Sequence, residues 1–161
     1  MAGKIFISCG QAENVEKEFV NRLSNFLNKQ GFNSYVAIKV KSLGDINRSI
    51  INELEDSDYF LFIDFKREKI NGDYRGSLFS HQELAIAYYI GFDNVIFFKH
   101  KNVRLEGFFK YIQSNPTEFS NYPELMSAIE SEIKEREWSP DFSRNLNINL
   151  CLKPNRIIDY Q

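Results

Sequence analysis

Tyr59-Phe60-Leu61-Phe62-Ile63-Asp64 is the most apolar run in the chain. Five consecutive apolar residues leave no polar face, which is how a strand buried on both sides of a parallel sheet reads. Two other runs share this character. Lys4-Ile5-Phe6-Ile7-Ser8 lies upstream and closes on a small polar turn, Cys9-Gly10-Gln11; Val95-Ile96-Phe97-Phe98 lies downstream. Phe32 to Ala37 reads as a further strand, and Glu118-Phe119 as a last edge strand. Between these runs the period changes to that of a helix. Val15, Phe19, Leu23, Phe26 and Leu27 place a helix over 13–30, with Glu13, Glu16 and Glu18 near its positive end and Gly31 to stop it. Ile46, Ile50, Ile51 and Leu54 mark a short helix with Asp45 as its N-cap, after a polar loop from Lys39 to Asp45 that carries Gly44. Lys66 to Leu78 is polar, with turn signals at Asn71-Gly72 and Arg75-Gly76. Phe79 to Ile90 is helical up to Gly91, and Leu84, Ala85 and Ala87 give it a face suited to close packing on a sheet. Leu105 to Ile112 reads as a short helix, and Tyr122 to Glu137 as an amphipathic one built on Leu125, Ile129 and Ile133.

Strands alternating with helices imply βαβ units. The expected architecture is α/β: a doubly wound, flavodoxin-like sheet of five parallel strands in order 2-1-3-4-5, with helices on both faces. Ligands of such sheets bind outside the carboxyl ends of the strands where the order reverses, between strands 1 and 3. That rule points to Ser8 to Gln11, to Phe65 to Leu78 and to the start of the helix at Phe79. Residues 1–137 form this domain. Residues 138–161 fall outside the pattern: Ser139-Pro140 breaks the last helix, and Asn145 to Leu152 alternates like a strand. It reads as an extra edge strand or as the opening of a second domain.

Composition narrows the function. The chain has 161 residues, 43% apolar and 26% charged, the balance of one folded domain with its own core. Lysine and arginine number 20 against 22 acidic residues, so no bulk positive field favours nucleic acid or an anionic membrane. Cys9 and Cys151 cannot build a disulfide framework, and with His81 and His100 they match no metal spacing, so no metal is expected. Met1 to Lys4 leads straight into a strand, and no long apolar span follows, so a cytoplasmic protein is expected. The glycine-rich, nucleophile-elbow and zinc signatures of dehydrogenases, P-loop ATPases, hydrolases and metalloproteases are missing from the sequence.

One constellation carries chemistry: Phe79-Ser80-His81-Gln82-Glu83-Leu84-Ala85-Ile86-Ala87. Phe79 and Glu83 are four apart at the start of a helix, on one face directed to the strand ends. An aromatic ring beside a carboxylate suits a flat cationic ring on a sugar, the ring stacking and the carboxylate steadying oxocarbenium charge. The same pair also reads as a core phenyl ring and a solvated first-turn carboxylate. Cys9 has no histidine near it in sequence to make it a nucleophile. His81 and Gln82 are expected on the far side of the helix from Glu83, in surface or packing roles.

In order and spacing these segments resemble the Toll/interleukin-1 receptor (TIR) domain, in its bacterial form. The resemblance rests on Lys4-Ile5-Phe6-Ile7-Ser8, on Gly31-Phe32 and the loop ending in Gly44, and on Ile46 to Leu54 followed by Ser57-Asp58-Tyr59-Phe60-Leu61. Ser80-His81-Gln82-Glu83-Leu84 with Ala87 is similar to the segment that holds the family's catalytic glutamate. The resemblance spans about Lys4 to Ile133. It implies an NAD nucleosidase that cleaves the nicotinamide–ribose bond, giving ADP-ribose or a cyclic ADP-ribose signal, with NAD as substrate and no cofactor. Glu83 is then the catalytic carboxylate. Phe79 stands where many family enzymes have tryptophan. Ser8, Cys9 and Gly10 line the nucleotide pocket, and Lys41 meets the pyrophosphate or is a solvated loop lysine. The resemblance further implies self-association through Lys39 to Asp45, a downstream effector protein, and a setting in antiphage defence of Thoeris type. Two alternatives stay open: a non-catalytic TIR adaptor acting by self-assembly, and a nucleoside deoxyribosyltransferase-like enzyme, which has the same kind of sheet and also uses a glutamate.

Overall fold

The computed structural model describes residues 2–37, 43–112 and 115–144. In chain order the elements are β1 (Lys4–Cys9), α1 (Asn14–Lys29), β2 (Asn33–Val36), α2 (Leu43–Glu55), β3 (Tyr59–Asp64), β4 (Glu68–Ile70), β5 (Asp73–Arg75), α3 (Leu78–Ile90), β6 (Val95–His100), α4 (Gly107–Ile112), β7 (Thr117–Phe119) and α5 (Tyr122–Glu135). The main sheet runs β2-β1-β3-β6-β7, and every pairing in it is parallel. This is the doubly wound sheet of order 2-1-3-4-5 that the sequence predicts. None of the described helices is long and apolar enough to cross a membrane.

The run that decides the fold is the centre of the sheet. All six residues of β3 are buried, flanked by β1 and β6. Alternate residues feed two cores, one on each face. Ile5, Ile7, Leu61, Ile63 and Phe98 pack with Phe19, Val20, Leu23 and Leu27 of α1 and with Leu125 and Ile129 of α5. Phe6, Phe60 and Phe62 pack with Leu54 of α2, Leu84 and Ala87 of α3, and Phe109 of α4. Each fully buried phenylalanine contributes about 1.5–3 kcal/mol of transfer energy, so the aromatic content is largely core filling. Glycine ends the helices as expected: Gly31 after α1 has φ +94° and Gly91 after α3 has φ +86°.

The structure departs from the sequence reading in two described places. α2 begins at Leu43 rather than Ile46, so Gly44 and Asp45 lie inside the helix. Asp45 is therefore not the N-cap, and Gly44 is a first-turn residue rather than a loop hinge. Residues 38–42, with Lys41, lie outside the described residues. The polar segment after β3 is not only loop. Glu68–Ile70 and Asp73–Arg75 pair antiparallel around Asn71 (φ +50°) and Gly72 (φ +96°), two left-handed residues as a tight hairpin requires.

Beyond α5 the chain folds back on the sheet. Trp138 stacks on Tyr59 with ring centroids 4.4 Å apart. The Tyr59 hydroxyl donates to the Ser139 carbonyl and accepts from the Ser139 amide, both at 2.9 Å. Asp58 accepts from the Lys4 amide at 2.8 Å and from the Arg144 amide at 2.6 Å, and the Gly3 amide donates to the Pro140 carbonyl. The strand expected over Asn145 to Leu152 lies outside the described residues.

Candidate active site

β1 leads through α1 to β2 on one side, while β3 leads through the hairpin and α3 to β6 on the other. The connections leaving the carboxyl ends of β1 and β3 therefore diverge, which opens a crevice between them. α3 lies against this crevice because its sequence fixes where it starts and which face it buries. The Ser77 side chain caps it by accepting from the Ser80 amide. Ser80, Glu83, Leu84 and Ala87 form the buried stripe at i, i+3, i+4 and i+7. Glu83 thus takes a position on the core face where an apolar residue would stabilise more. A carboxylate kept there against its desolvation cost makes Glu83 the candidate functional group of α3.

Glu83 is 9% exposed and Ser8, at the end of β1, is 0% exposed. The Ser8 hydroxyl donates to Glu83 Oε2 at 2.5 Å. Burial pushes the Glu83 carboxyl up from 4.5 to about 7, and the Ser8 hydrogen bond works against that rise. The carboxylate is poised to change charge near neutrality, in a desolvated setting where it acts strongly on any positive charge beside it. Phe79, one turn earlier, is 57% exposed. The reading of this pair as a core ring beside a solvated carboxylate is excluded, because the two exposures are the reverse of that.

Cys9 follows Ser8 and therefore points to the opposite face of the sheet, into the α1 core. It is buried, and burial followed by the charge of Glu83 raises its thiol far above the ordinary range. It is no thiolate nucleophile. Gly10 touches the site differently. A Cβ there would strike the Arg67 guanidinium, which lies across the turn after β1. Arg67 pairs with Glu16 at 2.5 Å, while its Nη2 is buried and has no hydrogen-bond partner. Glu16 also accepts from the Ala12 and Glu13 amides at 2.9 and 3.1 Å, so it locks the first turn of α1.

Asp64 closes β3 and is completely buried. Its Oδ1 accepts from the Ser77 amide at 3.1 Å, and its Oδ2 lies 2.8 Å from His81 Nε2. Gly76 passes directly over this carboxylate and leaves no room for a side chain. The His81 ring sits edge-on to Phe62 and Phe109. His81 is therefore not a surface residue: it ties the first turn of α3 to the end of β3, and so holds the turn that carries Glu83. Sequence reasoning missed Asp64, Arg67 and Gly76. The available signal was a single aspartate closing the most apolar run, followed by a polar segment with a glycine just before the α3 cap.

No family model matches the sequence, and no curated protein matches it either. Solved structures do match. The fold is similar to that of a CMP N-glycosidase from Clostridium botulinum, at 14% identity and TM-score 0.61, covering 80% of this chain and 98% of that one. It is also similar to a 2-deoxyribosyltransferase from Leishmania mexicana, at 10% identity and TM-score 0.56, covering 80% and 97%. The TIR domains of the activated Roq1 resistosome superpose at 16% identity and TM-score 0.45, covering 84% and 75%. At these identities the first two show a shared fold, and the last superposition is too loose to show even that.

Proposed function

We propose that the chain is an enzyme that breaks the N-glycosidic bond between a base and ribose, with Glu83 as the acting carboxylate and NAD as substrate. The observation that supports this reading is the buried Glu83 carboxylate, bonded to Ser8 at the carboxyl end of β1, in a fold similar to that of an N-glycosidase. Nicotinamide leaves NAD as a neutral molecule from a cationic ring, so its departure needs no general acid. The barrier lies in the positive charge that develops on the ribosyl carbon. An ionised Glu83 faces that charge, and the desolvation that raises its pKa also strengthens its attraction for it. Phe79 supplies an exposed ring on which the nicotinamide stacks. Water then adds to the ribosyl carbon, giving ADP-ribose and a proton, or an adenine nitrogen or ribose hydroxyl adds in its place and closes a ring. By the TIR resemblance such a product is a signal for a downstream effector in antiphage defence, made by an enzyme that self-associates through Lys39 to Asp45.

A second reading is favoured by the two closer structural likenesses: a nucleoside or nucleotide glycosidase or transferase. A pyrimidine leaves as an anion unless it is protonated, so that reaction demands an acid as well as Glu83. Incubating the protein with NAD, CMP or deoxynucleosides and following free base by chromatography separates the readings. Release of nicotinamide alone is expected. Release of cytosine or another nucleobase, with none of nicotinamide, overturns NAD in favour of the second reading. Release of no base from any of them removes both.

A further inference from the structure

A second cavity, of about 240 Å3, opens at the same edge of the sheet but on the α1 and α5 face. Its floor is aromatic: Phe65 follows β3, Phe119 ends β7, and Tyr122 begins α5. Phe65 lies edge-on to Phe119 with centroids 5.8 Å apart and 6.0 Å from Tyr122. Glu13 and Glu16, with Lys66 and His100, also line it. Burial, then Lys66, push the His100 imidazole below its ordinary value, which favours its neutral form. The volume is smaller than the roughly 300–1,000 Å3 of a pocket for a drug-sized ligand, so it fits one base and not a whole nucleotide. Aromatic rings among acidic, basic and imidazole side chains suit a flat heterocycle with both donors and acceptors on its edge.

This cavity is joined to Glu83 by contacts that cross the top of the sheet. Glu83 touches Ser8; two residues on, a reach of about 7 Å, Gly10 lies under the Arg67 guanidinium; Arg67 pairs with Glu16, which lines the cavity. Arg67 holds one buried nitrogen with no partner on this path, and Glu16 neutralises the rest of its charge. An unpaired guanidinium nitrogen is costly to bury, and a phosphate oxygen is a strong partner for it. We propose that the cavity takes the second base of a dinucleotide substrate, whose reacting ribose lies at Glu83 and whose diphosphate passes Arg67. The inference rests on the reading of NAD as substrate and deepens it, by assigning the second base of that dinucleotide to this cavity on the α1 and α5 face.

Two arms test it. Turnover of NAD is compared with that of nicotinamide mononucleotide in the wild type, in Tyr122→Ala, and in Ser120→Trp, which blocks the mouth from an exposed rim residue and serves if Tyr122→Ala fails to fold. NAD is expected to be the better substrate. Each variant should lower kcat/KM for NAD about tenfold through KM, the scale of one lost base–aromatic stack, and leave the mononucleotide unchanged. Equal losses on both substrates, or none on NAD, overturn the inference. The second arm is independent of catalysis: calorimetric titration of ADP-ribose into the Glu83→Gln protein with and without Ser120→Trp. Binding weakened about tenfold by Ser120→Trp supports the cavity even where no base is released from any nucleotide, a result that fails the glycosidase reading alone. Absent binding, or equal binding to both proteins, overturns the cavity.

Discussion

Glu83 is held at a cost that can be measured. Its pKa rises from 4.5 in an unfolded chain to about 7 in the fold, so the native state binds the extra proton. Its contribution is fully present below about 4.5 and is lost as pH rises through about 7. A displacement of that size corresponds to up to about 3 kcal/mol. Glu83→Gln keeps the shape and removes the charge, so at pH 8 it should raise stability by up to that amount, and at pH 4 by little; urea titrations at the two pH values check this. The same substitution should cut nicotinamide release on the order of 10²–10³-fold, as expected for removing one key electrostatic group. Activity of the wild type should rise with pH through about 7. Phe79 offers the contrasting case. At 57% exposure it supports no core, so Phe79→Ala should leave the thermal midpoint nearly unchanged while KM rises, and Phe79→Trp should keep or improve turnover. A collapse in stability for Phe79→Ala would return the ring to a structural role. Glu83 and Phe79 were legible because both lie on one helix at a spacing the helix fixes. Asp64 with His81, and Gly10 with Arg67, were not, because 17 and 57 residues separate partners that meet only once the sheet has formed.

At the scale of elements, legibility followed apolar content. The three apolar runs and the periodic helices stand where the sequence puts them, because each buries a continuous stripe or two faces. The hairpin did not announce itself: its strands are three residues each, too short and too polar for alternation to show. The start of α2 was misplaced because Leu43-Gly44-Asp45 carries the residues of a turn, yet the helix takes them in. The hairpin matters because it delivers Gly76 against Asp64. Gly76→Ala would force a methyl group into that carboxylate, so Asp64 must release Ser77, His81 or both. The expected result is destabilisation of about 1–3 kcal/mol, with kcat lowered because the turn that carries Glu83 loses its anchor. Unchanged melting and turnover would show that α3 is held by its apolar face alone.

For the whole molecule, the self-association proposed through Lys39 to Asp45 predicts a site completed by a neighbour. The net charge of −2 opposes self-association weakly. Specific activity should therefore rise with protein concentration, together with sedimenting mass. A flat dilution series from a protein that stays monomeric would remove assembly from the mechanism and leave Glu83 untouched. The strap from Trp138 to Arg144 bears on how the molecule can be wired to others. It fastens to Gly3, Asp58 and Tyr59, all at the amino ends of the strands. Ser8 lies toward the opposite end of β1, roughly 17 Å from Gly3 for a strand of this rise. A tether, a fused domain or a solid support joined ahead of Gly3 thus leaves from the end of the sheet opposite to the one where Ser8 bonds Glu83.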